Sequence, residues 1–193
     1  MSDQVSVEEA QQFVMCVEEI KGNKKRNLKN LIKANPRLLL MMDENDLSLF
    51  HKAVMTRKID SLNELLDAKG YDINIAGPNG NTPLHWAATY VNQSAILLLL
   101  TCPDIDVNAQ NNSLQTPLHI AVLKGNLACV RALLIHKDID VTIKNGLNQT
   151  PLEFAQTNVI ADQEDIIDAL MKHAAEYPPR RAHAAESTVA HSS

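Results

Sequence analysis

One seven-residue phrase recurs through this chain. Thr82-Pro83-Leu84-His85-Trp86-Ala87-Ala88 returns as Thr116-Pro117-Leu118-His119-Ile120-Ala121-Val122 and again as Thr150-Pro151-Leu152-Glu153-Phe154-Ala155-Gln156. A weaker copy, Ser48-Leu49-Phe50-His51-Lys52-Ala53-Val54, precedes them, and each copy starts 34 positions after the last. A fixed period of this size marks a repeat array, whose units bury their apolar faces only against one another. It therefore constrains the fold more than any local propensity does.

The phrase reads as a helix start. The Thr hydroxyl can accept from an orphan N–H of the first turn. Pro suits the first helical position, where its φ is preset and its missing N–H is not needed. Leu points inward, and the small Ala lets a neighbouring helix approach. His stands third in the helix, within reach of the capping Thr. In the last copy Glu153 takes its place, so Thr150-x-x-Glu153 reads as a capping box.

Two further ladders keep the same step. Leu31-Ile32, Leu65-Leu66, Leu99-Leu100 and Leu133-Leu134 read as the buried stripe of each unit's second helix. Asp72-Ile73-Asn74, Asp106-Val107-Asn108 and Asp140-Val141-Thr142 follow as an extended segment. Each unit is thus helix, turn, helix, extended hairpin, and the fold class is mainly all-α. Upstream, Ser6-Val7-Glu8-Glu9 is another capping box, opening a helix with Phe13, Val14, Val17 and Ile20 on one face. Residues 21–27 read as a solvated basic turn, because no aromatics interleave and the rest of the chain is acidic. A second helix, with Leu28, Leu31 and Ile32, stops before Pro36.

These residues resemble the ankyrin-repeat family, whose pattern is G-x-T-P-L-H-x-A-A, a second helix ending in a Leu pair, then D-V-N-A. Gly80 to Ala88 matches it almost in full. The resemblance implies a solenoid of five units over about residues 6–173: a degenerate N-terminal cap, three internal repeats, and a C-terminal cap with about three extra residues within 157–163. The expected domain is 1–175. Residues 176–193 hold too little apolar content to pack and are expected to be disordered. Unit 5, with its insertion and the Gly-less turn at Asn148, is expected to fray first.

Composition narrows the function. A net charge of −5 argues against broad nucleic-acid or anionic-membrane binding. Cys16, Cys102 and Cys129 are scattered, with no C-x-x-C, and read as small core residues in a reducing compartment, which points to the cytoplasm. No signal peptide is visible at Met1, and the longest apolar run, Ala95 to Leu100, is too short to span a bilayer. His51, His85 and His119 fall one per repeat, which is a structural pattern rather than a catalytic or metal cluster. With no nucleophile–base pairing, Gly-rich phosphate loop or H-E-x-x-H, the chain reads as a non-enzyme without cofactor or metal.

What the resemblance implies instead is a protein-binding adaptor. In ankyrin proteins the variable positions are the hairpin tips and the exposed side of each first helix. Carried over, the partner site centres on Asn79, Asn81, Trp86, Tyr90, Asn112, Gln115 and Lys124, with Leu123, Lys144 and Leu147 on the same surface. The alternatives are an effector of an intracellular bacterium, acting in host cytosol through the same repeats, and, less favoured, an enzyme or metal protein. The resemblance also brings a candidate modification. Some animal ankyrin repeats are hydroxylated on the Asn of the D-V-N segment by an Fe(II)/2-oxoglutarate oxygenase that favours Leu eight residues upstream. Asn108 and Asn74 have Leu100 and Leu66 there, although the same residues are also what any ankyrin repeat looks like.

Overall fold

The computed structural model describes residues 6–22 and 25–177. Among them lie ten α-helices in five pairs: α1 (Val7–Gly22) and α2 (Lys25–Ala34), α3 (Leu49–Met55) and α4 (Ile59–Leu66), α5 (Pro83–Thr89) and α6 (Gln93–Leu99), α7 (Pro117–Leu123) and α8 (Leu127–Leu134), α9 (Pro151–Thr157) and α10 (Gln163–Glu176). First helices pack on first helices and second on second from unit to unit, the order a linear stack requires. Of the expected tail, 176–193, Glu176 is the last residue of α10 and Tyr177 its C-cap, and the residues from 178 onward lie outside the described residues.

The helix starts are where the capping residues put them. Glu9 N–H donates to Ser6 Oγ at 3.1 Å, and Ser6 N–H returns to Glu9 Oε2 at 3.0 Å. The second helices α6 and α8 use Asn92 and Asn126, whose side-chain oxygens accept from Ala95 N–H and Cys129 N–H.

Four readings of the sequence are corrected. On α1 it is Phe13, Cys16 and Ile20 that are buried, while Val14 is 60 % exposed. The i, i+3, i+7 stripe passes through 13, 16 and 20, and residue 14 lies about 100° of turn off it. In the Leu pairs of units 2 to 4 only the first member, Leu65, Leu99 or Leu133, is fully buried, because it continues the stripe begun three residues earlier by Leu62, Ile96 or Val130. In unit 1 the stripe is Leu28 and Ile32 instead. The basic turn is shorter than residues 21–27, since α1 runs to Gly22 and α2 starts at Lys25.

The extended segments are not strands. Among the described residues there is a single isolated bridge, Met42 to Ser48. Each hairpin is closed by one bond in step with the period: Asp43 N–H to Leu47 O, Gly77 N–H to Asn81 O, Asn111 N–H to Gln115 O, and Asn145 N–H to Gln149 O, all at 2.9–3.1 Å.

All three cysteines are buried and free. Burial pushes the Cys16 thiol up to about 12 and Cys129 to about 11, so they pack as small apolar groups.

Candidate functional site

The surface expected to carry function is built on a row of histidines. Backbone N–H of Ser48, Thr82 and Thr116 donates to Nδ1 of His51, His85 and His119 at 3.1–3.2 Å. A backbone N–H can only donate, so Nδ1 is the acceptor and the neutral ring carries its proton on Nε2. Nε2–H then donates forward to the carbonyl of Asn81, Gln115 or Gln149 in the next unit, at 2.9–3.0 Å. One side chain thereby caps its own helix and fixes the following hairpin. Burial lowers the pKa of all three, His51 to about 4. Glu153, where unit 5 has no described follower, accepts from Thr150 N–H at 2.7 Å, and that bond holds its carboxyl below the usual range.

The hairpins are stapled by residues that pattern reading missed. Asn111 Oδ1 accepts from Ser113 and Gln115 N–H, and Asn145 Oδ1 from Leu147 and Gln149 N–H; both amides are buried. Asp43 does the same work in unit 2, accepting from Asn45 and Leu47 N–H. The signal was available: Asp43, Asn111 and Asn145 stand at multiples of the 34-residue step, each a short side chain that can accept from the backbone two residues on.

The expected partner residues fall into two groups. Asn79 and Asn112 are exposed, and Asn112 N–H donates to Asn79 O at 3.0 Å, joining hairpins 3 and 4. Gln115 and Asn81 are half-buried beside them. Asn81 is committed inward, since its Oδ1 accepts from Asn111 Nδ2 and its Nδ2 donates to Pro78 O. The second group lies along the first helices. Trp86 is half-buried and Tyr90 37 % exposed, their rings stacked with centroids 5.6 Å apart at 15°. His51 meets Trp86 edge-on at 6.2 Å. The Trp86 indole N–H is buried without a partner among the described residues. Lys124 is exposed one repeat on from Tyr90.

Both Asn74 and Asn108 are inter-unit staples. Asn74 Nδ2 donates to Asp104 O and its Oδ1 accepts from Asp106 N–H, both at 2.8 Å. Asn108 repeats this with Asp138 O at 2.6 Å and Asp140 N–H at 2.9 Å. Asn108→Ala is expected to cost about 1 kcal/mol, since the stranded groups are at the surface and can take water instead. Thr142→Ala, at the equivalent place but bonded only within its own loop, should cost less. Thermal melts of the two variants side by side check this.

Among the described residues no three His, Cys, Asp or Glu side chains are placed to share a metal ion, and no helix is long and apolar enough to cross a membrane. The model of ankyrin repeats in three copies matches residues 14–111, and that of ankyrin repeats in many copies matches 98–155. The chain belongs to the ankyrin-repeat family. None of the curated proteins compared with it matches. Ankyrin repeats in general mediate protein–protein binding, and the family is generally non-enzymatic.

Proposed function

We propose that this ankyrin-repeat protein is a cytoplasmic, non-enzymatic adaptor that binds another protein through its hairpin tips and the outward side of its first helices. The centre of that surface is units 3 and 4, at Trp86, Tyr90, Asn79, Asn112, Gln115 and Lys124, with Asn81 shaping the hairpin from behind. The observation that carries this reading is the stacked Trp86–Tyr90 pair, with Tyr90 exposed. Binding energy concentrates in a few central anchors in which Trp and Tyr are over-represented. The amides around the pair can hydrogen-bond a partner without the desolvation cost of charges.

The test starts with affinity capture on the full chain and mass spectrometry to identify the partner. Two variants are then compared for melting temperature and affinity. Tyr90→Ala should weaken binding by about 2 kcal/mol with little change in stability. His85→Ala should lower stability by about 3 kcal/mol, because it leaves a cavity and strands the Thr82 N–H and the Gln115 carbonyl. A Tyr90→Ala protein that binds like wild type sinks the assignment of the centre to units 3 and 4.

A further inference from the structure

The face described above changes character along its length. In unit 2 it carries the exposed carboxylates Glu44 and Asp46, beside the Asp43–Lys52 ion pair. Across unit 3, residues 75–90, it has no Asp, Glu, Lys or Arg. In units 4 and 5, over residues 109–124 and 143–158, the charges are Lys124, Lys144 and Glu153; Glu153 is an ionised helix cap within electrostatic reach of Lys144, so this end carries a net positive charge of one.

The same end carries exposed leucines: Leu114 is 51 % exposed, Leu123 45 % and Leu147 74 %. They stand close together. Gly146 N–H donates to Ser113 O at 2.9 Å, and Gln110 Nε2 spans Leu114 O at 2.7 Å and Lys144 O at 3.0 Å, so the two hairpin tips lie side by side. Gln149 Nε2 reaches Thr157 Oγ1 at 2.9 Å, which shows that the last hairpin residue and the last residue of the first helix are neighbours. Leu123 occupies the Thr157 position one unit earlier, and so sits below the same tips beside Gln115.

Leu114 is the telling member. Its φ of 54° is left-handed, as it is at the equivalent Asp46, Gly80 and Asn148. Gly is unstrained there, and Asp and Asn tolerate it, but a leucine costs stability. Nothing in the core is gained in return, because Leu114 is outside the packed cluster. An apolar side chain held in a costly conformation on the surface points to a use on that surface.

Resting on the reading of this face as the protein-binding surface, we infer that its unit 4–5 end docks a segment of another protein in which apolar side chains stand next to carboxylates. The apolar groups cover Leu114, Leu123 and Leu147, and the carboxylates face Lys124 and Lys144. The acidic hairpin of a second copy of this chain does not supply that combination, because the leucine beside it, Leu47, is only 7 % exposed.

The probe is a random peptide display library selected on the full chain, with enriched peptides synthesised and their affinities measured. Enriched peptides should combine Leu, Phe or Trp with Asp or Glu. Leu147→Ser should weaken them about tenfold, the loss of one anchor worth about 1.4 kcal/mol. Lys124→Glu should weaken them too, less so at high salt. Leu114→Gly should weaken binding while raising the melting temperature by about 2–4 °C, an opposition that a merely structural role would not produce. Enriched peptides that are basic, affinities indifferent to Leu147→Ser and Leu114→Gly, or concentration-dependent self-association blocked by Leu147→Ser would each overturn the inference. Peptides that bind and lose affinity only with Tyr90→Ala would leave the general reading standing and remove this one. No enrichment at all would count against both.

Discussion

Acidification from pH 7 to pH 5 is expected to destabilise this protein well before its carboxylates protonate. His51 titrates at about 4 in the folded chain because it is buried, against about 6.5 unfolded. Above pH 6.5 both states are neutral and pH has no leverage through this group. Below it the unfolded chain takes a proton that the folded chain refuses, so stability falls with pH and levels off only below about 4. For His51 alone the full loss is about 3 kcal/mol. His85 and His119, also lowered by burial, act in the same direction. Protonation would add a hydrogen to Nδ1, opposite the cap's own N–H, so each event opposes both a helix start and the next hairpin. Urea midpoints between pH 7 and 5 test this, with imidazole NMR to assign the groups. A flat midpoint over that window contradicts it.

The second large effect is expected at Gly125, between α7 and α8. Its φ is +59°, and a Cβ there would lie 2.7 Å from Ala161 N and 2.8 Å from Ala161 O in the loop before α10. A backbone neighbour cannot swing aside as a side-chain tip can. Gly125→Ala should therefore cost about 2–4 kcal/mol, the sum of left-handed strain and a displaced loop. Gly70→Ala is the control, because Gly70 has φ +80° and nothing within 4 Å of the added carbon. It should cost about 1 kcal/mol, strain alone. Hydrogen exchange should show the Gly125→Ala loss concentrated in α10, since the loop that leads into it is what moves. Equal melting temperatures for the two variants would show that the Ala161 contact is soft.

Much of this molecule was legible because its information is periodic. Thr82, Pro83, Leu84 and Ala87 act within one helical turn, and their copies announce themselves at every step of the period. The longer loop of unit 5 was also readable, as a break in that step, and residues 158–162 form it. What escaped depends on distance or on dihedral angle. The histidines were recognised as cap partners, but their second bond, to a carbonyl 30 residues on, joins units whose spacing only the fold supplies. Leu114 hides a left-handed backbone behind an ordinary residue type; only the residues at the same step of the period, Asp46, Gly80 and Asn148, hinted at it. Of the candidate surface, Tyr90 and Lys124 are exposed as expected, while Asn81 turned out to spend its amide internally, which a one-dimensional pattern cannot distinguish from an amide free for a partner.

The forward-pointing histidines give the array a grammar. Each is completed by what comes after it: His51 needs Asn81, His85 needs Gln115, and His119 needs Gln149. A unit carrying this residue is an open clause, and cutting the chain after unit 4 would leave the His119 N–H without its object. Glu153 closes the sentence, because a carboxylate that only accepts makes no demand on a successor. An additional unit could thus be spliced between units 3 and 4 with its histidine intact. Grafted after unit 5, it would meet a residue with nothing to donate, unless Glu153 were first exchanged for histidine.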